Sequence, residues 1–237
     1  MAILYYGPDN AINRSITSFL GEVGTAKIVW VCNQPKSQEE TLSNGVEVIF
    51  NDANLSLEKL IEASFSKGKV FKQIVFADST GGVRPLKLNK EAFVEEMFQK
   101  NVFSFFEFIR VLLKRRHLET GASIVALSSV SSIKGLKSKS VYSSSKAALD
   151  AAVKGMAAEL APKKIRVNSI QKGWVDVDME LDFIKDNMSL SNGSDFELQP
   201  LGAIPVEELA RLVRFLLSDE LTTMTGTNLV LDGGYTL

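Results

Sequence analysis

The chain has 237 residues, 45% of them apolar, which is enough for one well-buried domain and excludes a disordered or fibrous protein. A formal net charge of −1 excludes the basic excess of a typical nucleic-acid binder. One cysteine, Cys32, and one histidine, His117, exclude an intrachain disulfide and any metal site built on several such ligands, so no metal is expected.

In chain order, Met1 to Tyr6 is apolar but too short for a signal segment, and no later stretch approaches a membrane span, which predicts a soluble, cytoplasmic protein. Short β-branched runs predict strands at Ala2–Tyr6, Ala26–Cys32, Val46–Phe50, Lys72–Ala77, Ser123–Ser128, Ile165–Ile170 and Asn228–Leu231, with helical periodicity between most of them. Asn33 to Gly45 leaves room only for a loop or one or two turns. Long helices are expected over Glu91–Arg116 and Ser143–Ala161. His117 follows Lys114-Arg115-Arg116 at a helix end and reads as a solvated terminal residue, which leaves a Ser-His-Asp hydrolase without its base. The alternation predicts an α/β chain over 1–237: a single Rossmann domain whose doubly wound, parallel, seven-stranded sheet carries helices on both faces. Ligands of such folds bind beyond the carboxyl ends of the strands. There are no repeats or Pro/Gly-rich linkers to mark a domain boundary.

Within Val141-Tyr142-Ser143-Ser144-Ser145-Lys146, a phenol and an ammonium stand four residues apart at the start of an alanine-rich helix, so they share a face. A free tyrosine titrates near ~10 and needs a neighbouring positive charge to trade protons near neutrality, which Lys146 is placed to supply. Upstream, Ser123 to Ser129 reads as a buried strand ending in hydroxyls, with Ser129 placed to donate to a carbonyl oxygen. Asn101, a lone amide in the apolar helical segment from Phe93 to Arg116, is suited to hold a water or the lysine.

Asn101, Ser129, Tyr142 and Lys146, in this order, resemble the catalytic tetrad of the short-chain dehydrogenase/reductase family. The resemblance continues through Ile165-Arg166-Val167-Asn168-Ser169, Gly173-Trp174-Val175 and the ending Thr225-Gly226-Thr227-Asn228-Leu229-Val230-Leu231-Asp232-Gly233-Gly234. It implies hydride transfer between a nicotinamide dinucleotide and a carbonyl carbon. Tyr142 would act as general acid or base and Lys146 would lower its pKa and bind the ribose. Ser129 would steady the substrate oxygen, and Asn101 would anchor a water leading from Lys146 to solvent.

The glycine turn departs from the family pattern Gly-x-x-x-Gly-x-Gly. Gly7 matches the first glycine, but Ala11 and Asn13 stand where the second and third would be, which predicts a reshaped loop or reduced affinity. The helix start still offers amides to an anion, so a dinucleotide is expected there, against Gly7, Asn10 and Ile12. Cys32-Asn33-Gln34-Pro35-Lys36 lacks the carboxylate that favours NAD, so Asn33 with Lys36 nearby leans to NADP(H) over NAD(H). The resemblance places Asp52 and Ala53 at the adenine edge, and Gly173 and Val175 with Tyr142 and Lys146 around the nicotinamide. Ala77-Asp78-Ser79-Thr80-Gly81-Gly82, Lys172-Gly173 and Val177 depart from the family's wording near the same ring.

A substrate lid is expected at about 182–200. Cations at Lys134, Lys137 and Lys139, at Lys114-Arg115-Arg116 and at Lys163-Lys164 with Arg166 suit an acidic partner, although helix ends favour cations anyway. Some of these places resemble those of 3-oxoacyl-[acyl-carrier-protein] reductases, which implies a 3-oxoacyl thioester on acyl carrier protein as the substrate. The alternatives are a scaffold subunit of the same fold with an impaired cofactor site, favoured by the altered glycine turn, and an enoyl reductase. The last is disfavoured by the close spacing of Tyr142 and Lys146. Pairing of the two long helices into a homodimer or homotetramer is a further expectation from the family, and the small residues of the second permit it.

Overall fold

The computed structural model describes residues 2–23, 27–34, 45–51, 54–66, 68–177 and 199–237. The expected lid up to residue 198, Asp52, Ala53 and most of the connection after Asn33 fall outside them.

One parallel sheet of seven strands runs in the order β3-β2-β1-β4-β5-β6-β9. Its strands are β1 (Ala2–Tyr6), β2 (Lys27–Cys32), β3 (Val46–Phe50), β4 (Phe71–Phe76), β5 (Leu118–Ser129), β6 (Arg166–Lys172) and β9 (Asn228–Leu231). A short parallel ladder, β7 (Val175–Asp176) with β8 (Ile204–Pro205), lies apart from it. Two-residue strands carry no periodicity, and the sequence gives no sign of them.

The central strands are apolar on both sides because both faces of the sheet are covered. Leu4 and Tyr6 of β1 join the core that includes helices α2 (Leu57–Ser64), α4 (Ser104–Lys114) and α5 (Ser140–Leu160). Ile3 and Tyr5 turn the other way, toward α1 (Ala11–Val23) and α6 (Val206–Leu217). On the first face Tyr6, Phe76, Phe105 and Phe108 form an aromatic cluster, with ring centroids of Tyr6 and Phe108 4.7 Å apart and of Phe76 and Phe105 4.8 Å apart.

The chain winds outward from β1 to β3 and then crosses back to pair β4 with β1. That reversal opens a crevice at the carboxyl ends of β1 and β4, the place where doubly wound sheets bind ligands.

The segment expected as one helix over Glu91–Arg116 is broken into α3 (Glu91–Phe98), a π-helical stretch Gln99–Phe103 and α4. Single π turns inside helices re-aim side chains and are frequent at functional sites. Asn101 lies in this one. Strand β5 begins five residues earlier than the apolar signal suggests, because exposed Glu119 and Thr120 and the left-handed Gly121 (φ 80°) mask its first half.

His117 is buried, not solvated: its amide closes α4 by donating to Leu112 O (2.8 Å), its Nδ1 lies 2.5 Å from Lys69 O, and its ring meets Phe65. The left-handed turn at Arg116 (φ 57°) swings it into the start of β5. Two residues of the basic run before it are ion-paired, since Lys114 and Arg115 both bond Glu58.

Phe108→Ala should lower the unfolding free energy by about 3–5 kcal/mol, because it empties the centre of the aromatic cluster beneath β1 and β4. Urea unfolding followed by circular dichroism measures this; a change below about 1 kcal/mol would mean that the cluster does not act as a core.

Candidate active site

A cleft of about 380 Å³ follows the carboxyl edge of the sheet. Asn10, Ile12 and Asn13 line one end, Ala77 and Ser79 the middle, and Ser129, Tyr142 and Lys146 the other end. No carboxylate is among the described residues that line it.

Helix α5 begins at Ser140, so Tyr142 lies in its first turn and Lys146 one turn further along the same face, the ammonium 5.9 Å from the phenol ring centroid. Lys146 is 1% exposed, and its Nζ donates to Leu127 O at 3.1 Å. Burial lowers its pKa from 10.5 to about 8, helped by the like charge of Lys172 and opposed by Asp150 and Asp78. Strand β5 delivers Ser129 to the same end. Ser129 Oγ lies 3.2 Å from Ser131 Oγ and also accepts Ser131 N at 3.2 Å, a turn that fixes the hydroxyl at the cleft.

Asn101 is fully buried, and its amide is engaged on every side. Oδ1 accepts Thr80 N (2.8 Å), while Nδ2 donates to Thr80 O (3.0 Å) and Ser145 Oγ (2.9 Å). Both amide hydrogens are therefore committed to protein groups. It clamps the turn after β4 to α5 at the residue next to Lys146.

Beneath this clamp lies a buried polar group that sequence reading missed. Asp150, one turn after Lys146, accepts Ser169 Oγ (2.8 Å) and Gln171 Nε2 (2.7 Å), and Gln171 also reaches Ser132 Oγ (2.9 Å). Its signal was its place four residues beyond Lys146 in an alanine-rich helix. Asp78 is also buried, and desolvation raises its carboxyl pKa against the opposing pull of Asn33, Ser104 and Lys146.

At the other end, the turn that lacks its glycines is pinned from below. Asn13 is buried, its Oδ1 accepting Tyr5 Oη (2.7 Å) and its Nδ2 donating to Pro8 O (2.9 Å). Trp30 Nε1 donates to Gly7 O at 3.0 Å. Asn10 caps α1 by accepting Asn13 N (2.9 Å), which leaves the Ala11 and Ile12 amides at the helix start for an anion. Asp9 is neutralised by Arg14 (2.5 Å). The described residues thus fit a dinucleotide, for whose phosphates the Ala11 and Ile12 amides are available.

The other expected cofactor residues divide. Gly173 lines the cleft, and a Cβ there would come 2.9 Å from Asp232 Cα, so close packing of β6 on the chain end also requires the glycine. Gly7 lies under the turn: an added Cβ would meet Asn13 Nδ2 at 2.9 Å and the Ala77 backbone at 3.0 Å. Val175 is fully buried in the second core and does not line the cleft, because the β7–β8 ladder turns it inward. Val177 packs in that core too. Asn33, at the end of β2, has a buried Oδ1 without a hydrogen-bond partner among the described residues. Asp52 and Ala53 lie outside the described residues.

A family model described as Enoyl-(Acyl carrier protein) reductase matches residues 69–236. The chain belongs to the short-chain dehydrogenase/reductase family. Among curated relatives of this member, a cyclohexanol dehydrogenase of Acinetobacter sp. is 27% identical over 98% of this chain and 94% of its own. D-erythrulose reductase of Gallus gallus is 33% identical over 73% and 71%. A solved short-chain dehydrogenase of Leptospira borgpetersenii with bound NAD+ covers 100% of the chain and 92% of its own at a TM-score of 0.79 and 22% identity. Members with such names are oxidoreductases working between CH–OH and C=O, and this chain is an oxidoreductase of the same kind.

Lys146 gives a pH signature. Its folded pKa of about 8 lies below its ordinary 10.5, so between these values the unfolded chain binds the extra proton and stability rises with pH. Relative to Lys146→Met, the wild-type protein should gain roughly 3 kcal/mol between pH 7 and pH 11 in urea unfolding. Lys172→Met should move the midpoint of that gain upward. A flat difference would show that the ammonium is not buried as described.

Proposed function

We propose that the protein reduces a substrate carbonyl, or oxidises the corresponding alcohol, with a nicotinamide dinucleotide, NADP(H) in preference to NAD(H). The observation that carries this reading is the convergence of Ser129, Tyr142 and buried Lys146 at one end of a cleft whose other end is a helix start with available amides. When bound, the dinucleotide supplies or accepts the hydride.

In this reading Tyr142 exchanges the proton with the substrate oxygen, and the Lys146 ammonium favours the phenolate through its charge. Ser129 donates to the same oxygen. Asn101 is a positioning residue: it ties the turn at Thr80 to Ser145 and so fixes the lysine beside it. The preference for NADP(H) rests on the absence of a carboxylate at the end of β2, where Asn33 stands, and on Lys36 beyond it.

The substrate classes we carry forward are free ketones and a 3-oxoacyl thioester on acyl carrier protein. For the second, exposed Lys163 and Lys164 remain as docking cations, whereas Lys114 and Arg115 already bond Glu58 and Arg166 is buried and donates to Ser218 O. The enoyl-reductase reading is disfavoured by the close spacing of Tyr142 and Lys146. We place the protein in the cytoplasm as a homodimer or homotetramer. Ala147, Ala151, Gly155 and Ala158 face outward from α5, and nothing lies within 4 Å of a Cβ added at Gly155, so another helix can approach closely.

Titration with NADPH and NADH, followed by nicotinamide fluorescence, tests the reading. Both should bind saturably, NADPH more tightly, and Tyr142→Phe should still bind while losing at least ~1000-fold in kcat on any ketone the wild type reduces. Failure of folded protein to bind either nucleotide would instead support the scaffold subunit, whose best argument is the reshaped turn at Ala11 and Asn13.

A further inference from the structure

Lys146 joins α5 to the end of β5, its Nζ donating to Leu127 O at 3.1 Å. A second link between the same two elements avoids the lysine. The Asp150 carboxylate of α5 accepts Gln171 Nε2 at 2.7 Å, and the same amide nitrogen donates to Ser132 Oγ at 2.9 Å. Ser132 Oγ in turn donates to Ser129 O at 2.8 Å. The chain of bonds therefore runs from the helix of Tyr142 and Lys146, through a side chain of β6, to the backbone of Ser129.

Resting on the oxidoreductase reading above, we propose that Gln171 is a positioning residue for the reaction: held by Asp150, its amide fixes through Ser132 where the Ser129 hydroxyl stands relative to Tyr142 and Lys146.

The bonds within the turn do not do this. Ser129 Oγ accepts Ser131 N and Ser129 O accepts Ser132 Oγ, all inside one short stretch, so they hold the shape of the 3-10 turn Val130–Ser132 and not its place against α5. Strand pairing sets Ser129 opposite Lys172, which fixes β5 to β6 and again leaves α5 out. Gln171, next to Lys172 on β6, supplies the missing connection with one side chain. Its chemistry also points to a purpose. It shares its strand with buried Val167 and Ile170 and is itself 4% exposed, where an amide is costly unless paired. Its Nε2 is paired twice, once with a carboxylate, the stronger kind of hydrogen bond. Asp150 has a further anchor in Ser169 Oγ at 2.8 Å, so the acid remains held to β6 when Gln171 is replaced.

The test uses Gln171→Met, which keeps the length of the side chain and removes its amide, and Ser132→Ala, at a partly exposed position that tolerates truncation should the first variant fold poorly. Turnover is followed with NADPH on whichever of cyclohexanone, ethyl acetoacetate and an acetoacetyl thioester the wild type reduces best. Each variant should lose about tenfold in kcat through misplacement of Ser129. The KM for the ketone and the Kd for NADPH, read by nicotinamide fluorescence, should stay within about twofold, and the double variant should be no slower than the slower single one, because the two residues act in series. Ser132→Thr, which keeps the hydroxyl, should keep most of the kcat. Independently of activity, the two substitutions should lower the urea midpoint by less together than the sum of their separate effects.

Folded variants that retain wild-type kcat would overturn the role, as would effects that multiply in the double variant or a rise in KM and Kd that matches the fall in kcat. Additive urea midpoints would remove the link itself. A wild type that binds no NADPH and reduces none of the three ketones would overturn the oxidoreductase reading and this role with it; an active wild type with indifferent variants would overturn the role alone.

Discussion

An ammonium buried at the edge of a parallel sheet sets the terms for everything around it. Lys146 donates to the Leu127 carbonyl and has almost no contact with solvent, so its charge is stabilised by what the protein places nearby. Asp150 and Asp78 provide opposite charge, and Lys172 provides like charge. The balance lowers the pKa to about 8, close enough to neutrality for the lysine to remain a cation that can act on the Tyr142 phenol.

Holding a lysine in that place requires rigid neighbours. Asn101 does this from the helical side, because the π turn brings its amide within reach of Thr80 and Ser145 together. Asp150, Gln171, Ser132 and Ser169 do it from the strand side, through a chain of hydrogen bonds linking α5 to β6 and to the turn after Ser129. Both groups are buried and well paired, the condition under which polar networks rigidify a core. The end of the cleft with Ser129, Tyr142 and Lys146 is therefore braced on both flanks, as the proposed chemistry requires.

The end of the cleft with Asn10, Ile12 and Asn13 reaches a comparable fixity by another route. Glycines usually let this turn pass close to the sheet; here two aromatic residues from β1 and β2 hold it through Tyr5 to Asn13 and Trp30 to Gly7. Their rings also meet edge to face at 6.0 Å. The asparagine in a glycine position is thus part of the turn's support, with its side chain bonded to Tyr5 and Pro8 beneath.

Much of this was legible in the sequence. Strand positions followed from β-branched runs, the parallel sheet from their alternation with helices, and the pairing of Tyr142 with Lys146 from helical spacing, because these depend on neighbours within a few residues. The family's ordered motifs added Ser129 and Asn101. What only the tertiary structure decided depends on residues distant in the chain. The turn at Arg116 and the Lys69 carbonyl buried His117; the clamp of Asn101 needed Thr80 and Ser145; the charge at Lys172 mattered only once β6 lay beside β5. Local periodicity determines which face of an element is apolar. Burial, pKa and the meeting of lysines in one cleft are set by which elements pack together, and that is a property of the folded chain.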